Sequence, residues 1–323
     1  MAIPSSGALS LSDIQTEFGG SNPISLSEYY AGGANVPSGT TGTGGAIPTS
    51  GEISIGDFYG SSNRVSITLT ISANTNGYNI FNNRGGTYVA GISDVTLVNN
   101  ANIYSTSGVA LDTGTGWTAG DTITIDNNAL IVGHGGDGGA GGGGFNSAGN
   151  GANGGAGSTA FNLQYSITLN NTGGTISGGS GGGGGGGGAY SNIPIKGGSE
   201  NLVAGGGGAG AGRASASGGA GGSVSFSGSG SAVNGSAGNA SSITALGTGG
   251  AGGSTSGAGS TVTAGAGGNG GANTASAGAN GANGVSGNSL GAGGTGGAGG
   301  KAINLNGNSV TYTATGTIYG AVS

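Results

Sequence analysis

Residues 291–299 read Gly291-Ala292-Gly293-Gly294-Thr295-Gly296-Gly297-Ala298-Gly299, one side chain in every three positions. The same phase recurs in 247–252, in 265–270 and in the run that holds His134, Asp137 and Ala140. A polyproline-II-type helix has three residues per turn, so this spacing stacks the side chains on one edge and leaves two edges of bare glycine. Such a helix makes no internal hydrogen bonds, and its N–H and C=O groups must find partners on neighbouring helices. Ordering a glycine costs about 0.5–1 kcal/mol more than ordering an alanine, close to the net gain of one hydrogen bond, about 0.5–1.5 kcal/mol. One run alone is therefore unstable, and a bundle persists. The eight glycines Gly181 to Gly188 have no side-chain edge, which predicts a rod at the bundle centre with the Ala-, Thr- and Asn-bearing runs outside it.

Clear runs occupy 133–144, 149–157, 178–188, 205–212, 218–222, 247–253, 265–271, 278–284 and 291–300, with a weaker one at 228–238. Ten antiparallel rods return the chain to its starting end. Parity then sends the loops 145–148, 189–204, 223–227, 254–264 and 285–290 to the far end and leaves 158–177 at the near end. The far loops carry Phe145, Tyr190, Ile193, Ile195, Leu202, Phe226, Val262 and Leu290. Exposed apolar side chains on polar rods suit contact with a protein or glycan surface.

The chain has 88 glycines and five prolines in 323 residues, so collagen, which needs far more imino acid in strict register, is excluded. Only Lys196, Glu200, Arg213 and Lys301 are charged after Asp137. Net charge is −6 with five scattered basic residues, which leaves no footprint for nucleic acid. No cysteine is present, and no apolar stretch approaches a membrane span. The start, Met1 to Gly7, lacks a basic and apolar leader, so neither classical export nor membrane insertion is expected.

Residues 1–62 hold an internal repeat. Ile3-Pro4-Ser5-Ser6-Gly7-Ala8-Leu9-Ser10-Leu11-Ser12-Asp13 returns as Ile47-Pro48-Thr49-Ser50-Gly51-Glu52-Ile53-Ser54-Ile55-Gly56-Asp57, with a shorter echo at Ile24–Tyr30. Each copy reads as an extended piece followed by a capped helical turn; Ser12 and Gln15 have capping-box spacing, and Gly19 is a natural stop. Pieces this small need to dock on one another or on a partner. Leu9, Leu11, Leu26, Tyr29, Ile53, Ile55 and Phe58 are the candidate docking residues. Between 63 and 132 the period changes to two, with Val65, Ile67, Leu69 and Ile71, then Val95 and Leu97, then Ile123 and Ile125 on one face, which predicts a β region completed by 301–323 and by 158–177. The expected fold is thus mainly β and irregular: attachment repeats, a β-sheet region and, over 133–300, a bundle of about ten helices of the polyproline-II type.

Three phrases, Ala110–Gly114 with Ile123–Asn128, Tyr165–Asn171 and Val310–Thr317, resemble glycine-rich tail fibre and tail-tip proteins of bacteriophages. That resemblance covers roughly 64–323. It implies a polyglycine-II sandwich whose loops bind a bacterial outer-surface receptor, and a virion location in the tail or tail fibre. The Ile-Pro-Ser/Thr-Ser-Gly repeats resemble short attachment modules of phage virion proteins, which implies that 1–62 fastens the chain to other tail or baseplate proteins. The alternatives are a structural connector or decoration protein without receptor binding and an ice-binding glycine bundle.

Catalytic and cofactor readings find little support in the residues. His134 and Asp137 are two ligands without a third, so no metal site is assigned. Serine occurs without a nucleophile-elbow context, and the many Gly-x-Gly-x-x-Gly matches open no helix, so neither an enzyme nor a nucleotide cofactor is expected.

Overall fold

The computed structural model describes residues 3–213, 217–242, 245, 247–272 and 275–323. The chain divides into two compact units: 1–69 with 82–96 and 116–124, and 70–81 with 97–115 and 125–323.

In the first unit the repeats of 1–62 dock on one another. Helix α1 (Leu11–Phe18) and the 3-10 turns Leu26–Glu28 and Ile55–Phe58 follow Ser10, Ser25 and Ser54. Ser10, not Ser12, is the cap of α1: its hydroxyl accepts from the Asp13 amide, and the Asp13 carboxylate accepts from its amide at 2.8 Å. Ser54 and Asp57 repeat that box. The equivalent residues Ile14, Tyr29 and Phe58 are fully buried with Ile3, Phe18, Val36 and Ile47, and Phe58 packs edge-on against Phe18 and Tyr29. The next residue in each copy reaches a glycine carbonyl: Gln15 to Gly20, Tyr30 to Gly51, and Tyr59 to Gly7. Tyr29 and Phe58 are therefore corrected from docking residues to core, because three amphipathic turns supply enough apolar surface to close on each other. Leu9, Leu11, Leu26, Ile53 and Ile55 are half-buried around that core.

Also in this unit, Arg64 binds Asp94 through Nε at 2.6 Å and Nη2 at 2.7 Å. Asp121 accepts from Tyr88 Oη and from the amides of Gly91, Ser93 and Thr118. Burial pushes its carboxyl up, and these hydrogen bonds outweigh it and hold the group below the usual carboxylate range. Trp117 packs edge-on against Tyr88.

The β region is a ladder of five coils, each giving one strand to each of two sheets and the first four giving one to a third. The first sheet takes Val65–Ile71, Ser93–Asn99, Thr122–Asn127, Ile167–Asn170 and Val310–Ala314. The second takes Thr75–Asn76, Ile103–Tyr104, Leu130–Val132, Thr175–Ser177 and Thr317–Tyr319, all parallel. The third takes Tyr78–Asn79, Leu111–Asp112, Phe161–Asn162 and Ile303–Asn304, also parallel, with Val322 bridging to Ile303. Parallel register stacks like on like: Ile103, Ile131 and Ile176 form one buried column, and Leu111, Phe161 and Ile303 another. Asparagines stack in the same way, with Asn99, Asn127 and Asn171 buried and joined amide to amide at 2.7 Å.

The glycine rods are insertions into this ladder. Rods 1 and 2 (133–144, 149–157) leave coil three between Leu130–Val132 and Phe161–Asn162, and rods 3 to 10 leave coil four between Thr175–Ser177 and Ile303–Asn304. Rods 3 to 10 are 178–188, 205–212, 218–222, 234–239, 247–253, 265–271, 276–284 and 291–300. The weak run 228–238 is divided: Ser229–Val233 is a strand parallel to Gly198–Ala204, and only the part from 234 lies among the rods.

Rod 3 donates from Gly181, Gly184 and Gly187 to rod 9, from Gly182, Gly185 and Gly188 to rod 2, and from Gly183 and Gly186 to rod 4, at 2.8–3.0 Å. Its carbonyls accept from rods 1, 8 and 10, giving six neighbours. Rod 4 also has six: it donates to rods 1, 6 and 8 and accepts from rods 3, 5 and 7. The expectation of one central rod is thus corrected to two. Two adjacent hexagonal positions share two neighbours, here rods 1 and 8, so the other eight rods described enclose both. Ala209 and Ala211 on rod 4 are fully buried, contrary to the expectation that alanine-bearing runs lie outside. Registers give direction: rods 1 and 9 rise together with rod 3 (Gly139 to Gly183, Gly184 to Ala279), whereas rods 2, 4, 8 and 10 run against it (Gly185 to Ala152, Gly186 to Gly207, Gly268 to Gly184, Gly294 to Gly185).

Side chains at the third positions of outer rods are part of this network. Asn150 and Asn153 of rod 2 accept from the amides of Ala292 and Thr295, Asn280 and Asn283 of rod 9 from Gly296 and Gly293, and Asp137 of rod 1 from Ser217. Because Thr295 is exposed, water replaces a lost partner there. Asn153→Ala is expected to cost below about 1 kcal/mol, while hydrogen exchange at the Thr295 amide speeds at least about tenfold.

Candidate functional site

The segments that follow rods rising from the coils gather at the opposite end of the bundle. Ala189–Ile195 and Gly198–Ala204 form a seven-pair antiparallel hairpin closed by Lys196 and Gly197, the latter at φ +92°. The turn requires a left-handed backbone at its second residue, which glycine meets without strain. Ser289–Leu290 pairs with one side of the hairpin and Ser229–Val233 with the other. Ser254–Gly257 and Ser260–Thr263 make a second hairpin packed against the first, and Gly144–Phe145 pairs with Val224–Ser225.

Asn201 ties three of these segments. Its Oδ1 accepts from Tyr190 Oη at 2.8 Å and from Asn192 Nδ2 at 2.7 Å, and its Nδ2 donates to the Ser227 carbonyl at 3.0 Å. Ser191 Oγ donates to Asn288 Oδ1 at 2.6 Å, tying in a fourth. Beneath them Ala189, Leu202, Ala204, Val262 and Ala264 make a small core with Ile193 against it. On these segments Val285 (67% exposed), Phe145 (60%), Leu290 (48%), Ile195 (41%) and Val233 (39%) reach solvent. Lys196 and Glu200 are the only charged residues on these loops. These loops are nearly uncharged and are held together by side-chain hydrogen bonds.

Residues 64–323 match the family model of the phage tail fibre adhesin Gp38. The chain belongs to that family. It is a phage tail fibre adhesin, and its place is the virion tail. Among solved structures it is similar to a chain of the gp37–gp38 adhesin tip complex of the bacteriophage S16 long tail fibre, at 23% identity and a TM-score of 0.44, covering 85% of this chain and 88% of that one. No curated protein sequence matches.

In the adhesin, Phe145, Ile195 and Leu290 are exposed, whereas Tyr190, Ile193 and Phe226 are half-buried. Leu202 and Val262 are 0% exposed and are corrected from contact residues to the core under the face. The reason is physical: Asn201–Ala204 is covered on both faces, and the second hairpin packs its Val262 against Leu202 in one shared core. Val285 and Val233 were missed by the sequence reading. Val285 stands alone between glycine and serine, and Val233 lies in 228–238, whose composition predicts a rod. His134 is half-buried and Asp137 exposed, and among the described residues no group of three or more His, Asp or Glu side chains is placed to hold a metal ion. Among the same residues no helix is long and apolar enough to cross a membrane.

Proposed function

We propose that the adhesin binds a bacterial outer-surface receptor through the loop face at the far end of the bundle, and that residues 1–62 fasten it to another tail or baseplate protein. The observation that carries the reading is the convergence of separated loops at one end of the bundle, with Phe145, Val285, Leu290, Ile195 and Val233 exposed on them. Exposed apolar side chains clustered on an otherwise polar protein mark an interaction site. The rods themselves are read as polyglycine-II helices, a reading supported by their three-residue hydrogen-bond period. Two fully enclosed rods make a stiff support, which lowers the entropy lost when the loops engage.

For the attachment end, every charged residue of 1–62 is acidic (Asp13, Glu17, Glu28, Glu52 and Asp57), so a partner face supplying lysine, arginine or amide donors fits it. The half-buried Leu9, Leu11, Leu26, Ile53 and Ile55 give such a partner apolar contact beside the acidic groups.

The double variant Phe145→Ala with Leu290→Ala separates binding from scaffolding. It removes two exposed anchors, each worth about 2 kcal/mol at the centre of an interface, so adsorption of phage carrying it is expected to fall at least tenfold with the unfolding midpoint unchanged. Unchanged adsorption would favour the connector reading, in which the bundle is only a spacer.

A further inference from the structure

The sequence holds eight Asn-Gly pairs, at Asn76, Asn150, Asn153, Asn234, Asn269, Asn280, Asn283 and Asn306. This dipeptide is chemically fragile. Glycine lacks the Cβ that hinders its amide nitrogen, and that nitrogen attacks the preceding asparagine at Cγ. Six of the pairs lie on outer rods with their asparagine side chains exposed to water, so exposure alone offers them no protection.

In all six the lattice engages both reacting groups. The amides of Gly151, Gly154, Gly235, Gly270, Gly281 and Gly284 each donate to a carbonyl of a neighbouring rod at 2.8–3.0 Å. The Oδ1 of the preceding asparagine accepts from an amide of the same neighbour or of the segment continuing it: Ala292 for Asn150, Thr295 for Asn153, Val224 for Asn234, Gly249 for Asn269, Gly296 for Asn280 and Gly293 for Asn283. Attack needs the glycine nitrogen to lose its proton and the side chain to swing back over it. Both events require the pair to leave its neighbour, so the rate is limited by local opening of the lattice. The pair at Asn76 is held likewise, with Gly77 donating to Tyr104 and Asn76 Oδ1 accepting from Thr106.

The eighth pair differs. Asn306 and Gly307 form the turn before the last coil, at φ +48° and +79°, and both are exposed. Asn306 has side-chain partners, accepting from Asn304 at Oδ1 and donating from Nδ2 to Asn162 and Leu163, but among the described residues the Gly307 amide, the attacking nitrogen, has none. We infer that Asn306 is the site of spontaneous deamidation in this protein, and that the rod lattice protects the six Asn-Gly pairs on the rods from the same reaction. The Gly307 nitrogen gives up its proton to hydroxide and attacks Asn306 Cγ. The N–Cγ bond forms, the Cγ–Nδ2 bond breaks, and the side-chain nitrogen leaves as ammonia. Water opens the resulting succinimide at either carbonyl and leaves aspartyl or isoaspartyl at position 306. Loss of the amide also removes the donors from Asn306 Nδ2 to Asn162 Oδ1 and to the Leu163 carbonyl, which hold this turn to the third coil.

The test ages the full chain in mildly alkaline buffer at physiological temperature, beside the same chain held unfolded in denaturant, and follows each Asn-Gly peptide by mass and by isoaspartyl methyltransferase labelling. The expected result is conversion at Asn306 within about a factor of three of its unfolded rate, and conversion at the six rod asparagines slowed at least about tenfold against theirs. Rod asparagines converting as fast as in the unfolded chain overturn the protection. Asn306 slowed as much as the rods overturns its assignment. Asn306→Ser, which lacks the reacting amide, is expected to remove the isoaspartyl signal from that peptide while leaving the rod peptides unchanged.

Discussion

Gly184→Val is expected to prevent residues 133–300 from folding, with no soluble protein recovered. A Cβ at Gly184 would lie 2.0 Å from the Gly294 carbonyl oxygen and 2.4 Å from its carbon, both backbone atoms that no side-chain movement can clear. Gly184 also donates to Ala279 and accepts from Gly268, each on a different rod. Moving rod 10 away to make room separates it from rods 2, 3 and 9 together. Each buried amide or carbonyl left unpaired costs about 1–3 kcal/mol. A handful of them exceeds the total stability of an ordinary domain, about 5–15 kcal/mol. The control is Gly198→Ala in the far hairpin, where a Cβ meets nothing within 4 Å. Its stability is expected to stay within about 0.5 kcal/mol of the parent. Soluble yield and thermal unfolding of the two variants decide the point, and a folded Gly184→Val protein would show that the rods are not tightly registered.

Asn127→Ala is expected to cost about 3–5 kcal/mol, from two buried groups left unsatisfied at about 1–3 kcal/mol each and a small cavity. Asn127 is fully buried between two like residues, accepting from Asn99 Nδ2 and donating to Asn171 Oδ1, both at 2.7 Å. Asn171 in turn donates to the Thr315 carbonyl at 2.8 Å, so the ladder ties coils two to five. Alanine leaves the Asn99 amide and the Asn171 carbonyl facing each other across an empty space. The neighbouring Asn128→Ala removes an exposed rung of the same type, Asn128 to Asn100 at 3.0 Å. Water replaces that partner, and the loss is expected to stay below about 1 kcal/mol. Denaturant unfolding of the two variants compares a buried with an exposed rung at adjacent positions.

Much of the bundle was legible because the glycine code is local. One side chain in three, run lengths of similar size and eight bare glycines each state how many faces of a segment other backbones must approach. The second enclosed rod was not legible. Gly205–Gly212 carries Ala209 and Ala211, and by local rule alanine marks an outer face. Whether a methyl group fits in the interior depends on the space left where three rods meet, which no single run encodes. The division of 228–238 escaped for a related reason: serine and glycine suit a strand and a rod equally, and pairing with Gly198–Ala204 decides between them.

The candidate face divides in the same manner. Apolar residues in the interruptions at Phe145, Ile195 and Leu290 signalled it, but which of them face outward depends on the partner strand. Leu202 and Val262 turned inward because two hairpins stack and need a core. Within the N-terminal repeats Tyr29 and Phe58 turned inward because three repeats close on each other. The sequence by itself determined the three-residue rods and the period-two strands. These follow from backbone sterics and hydrogen bonding within a few residues. Tertiary structure alone decided that two rods are enclosed and which apolar side chains remain on the surface. Both depend on which segments become neighbours, and burial is a property of the neighbours as much as of the residue.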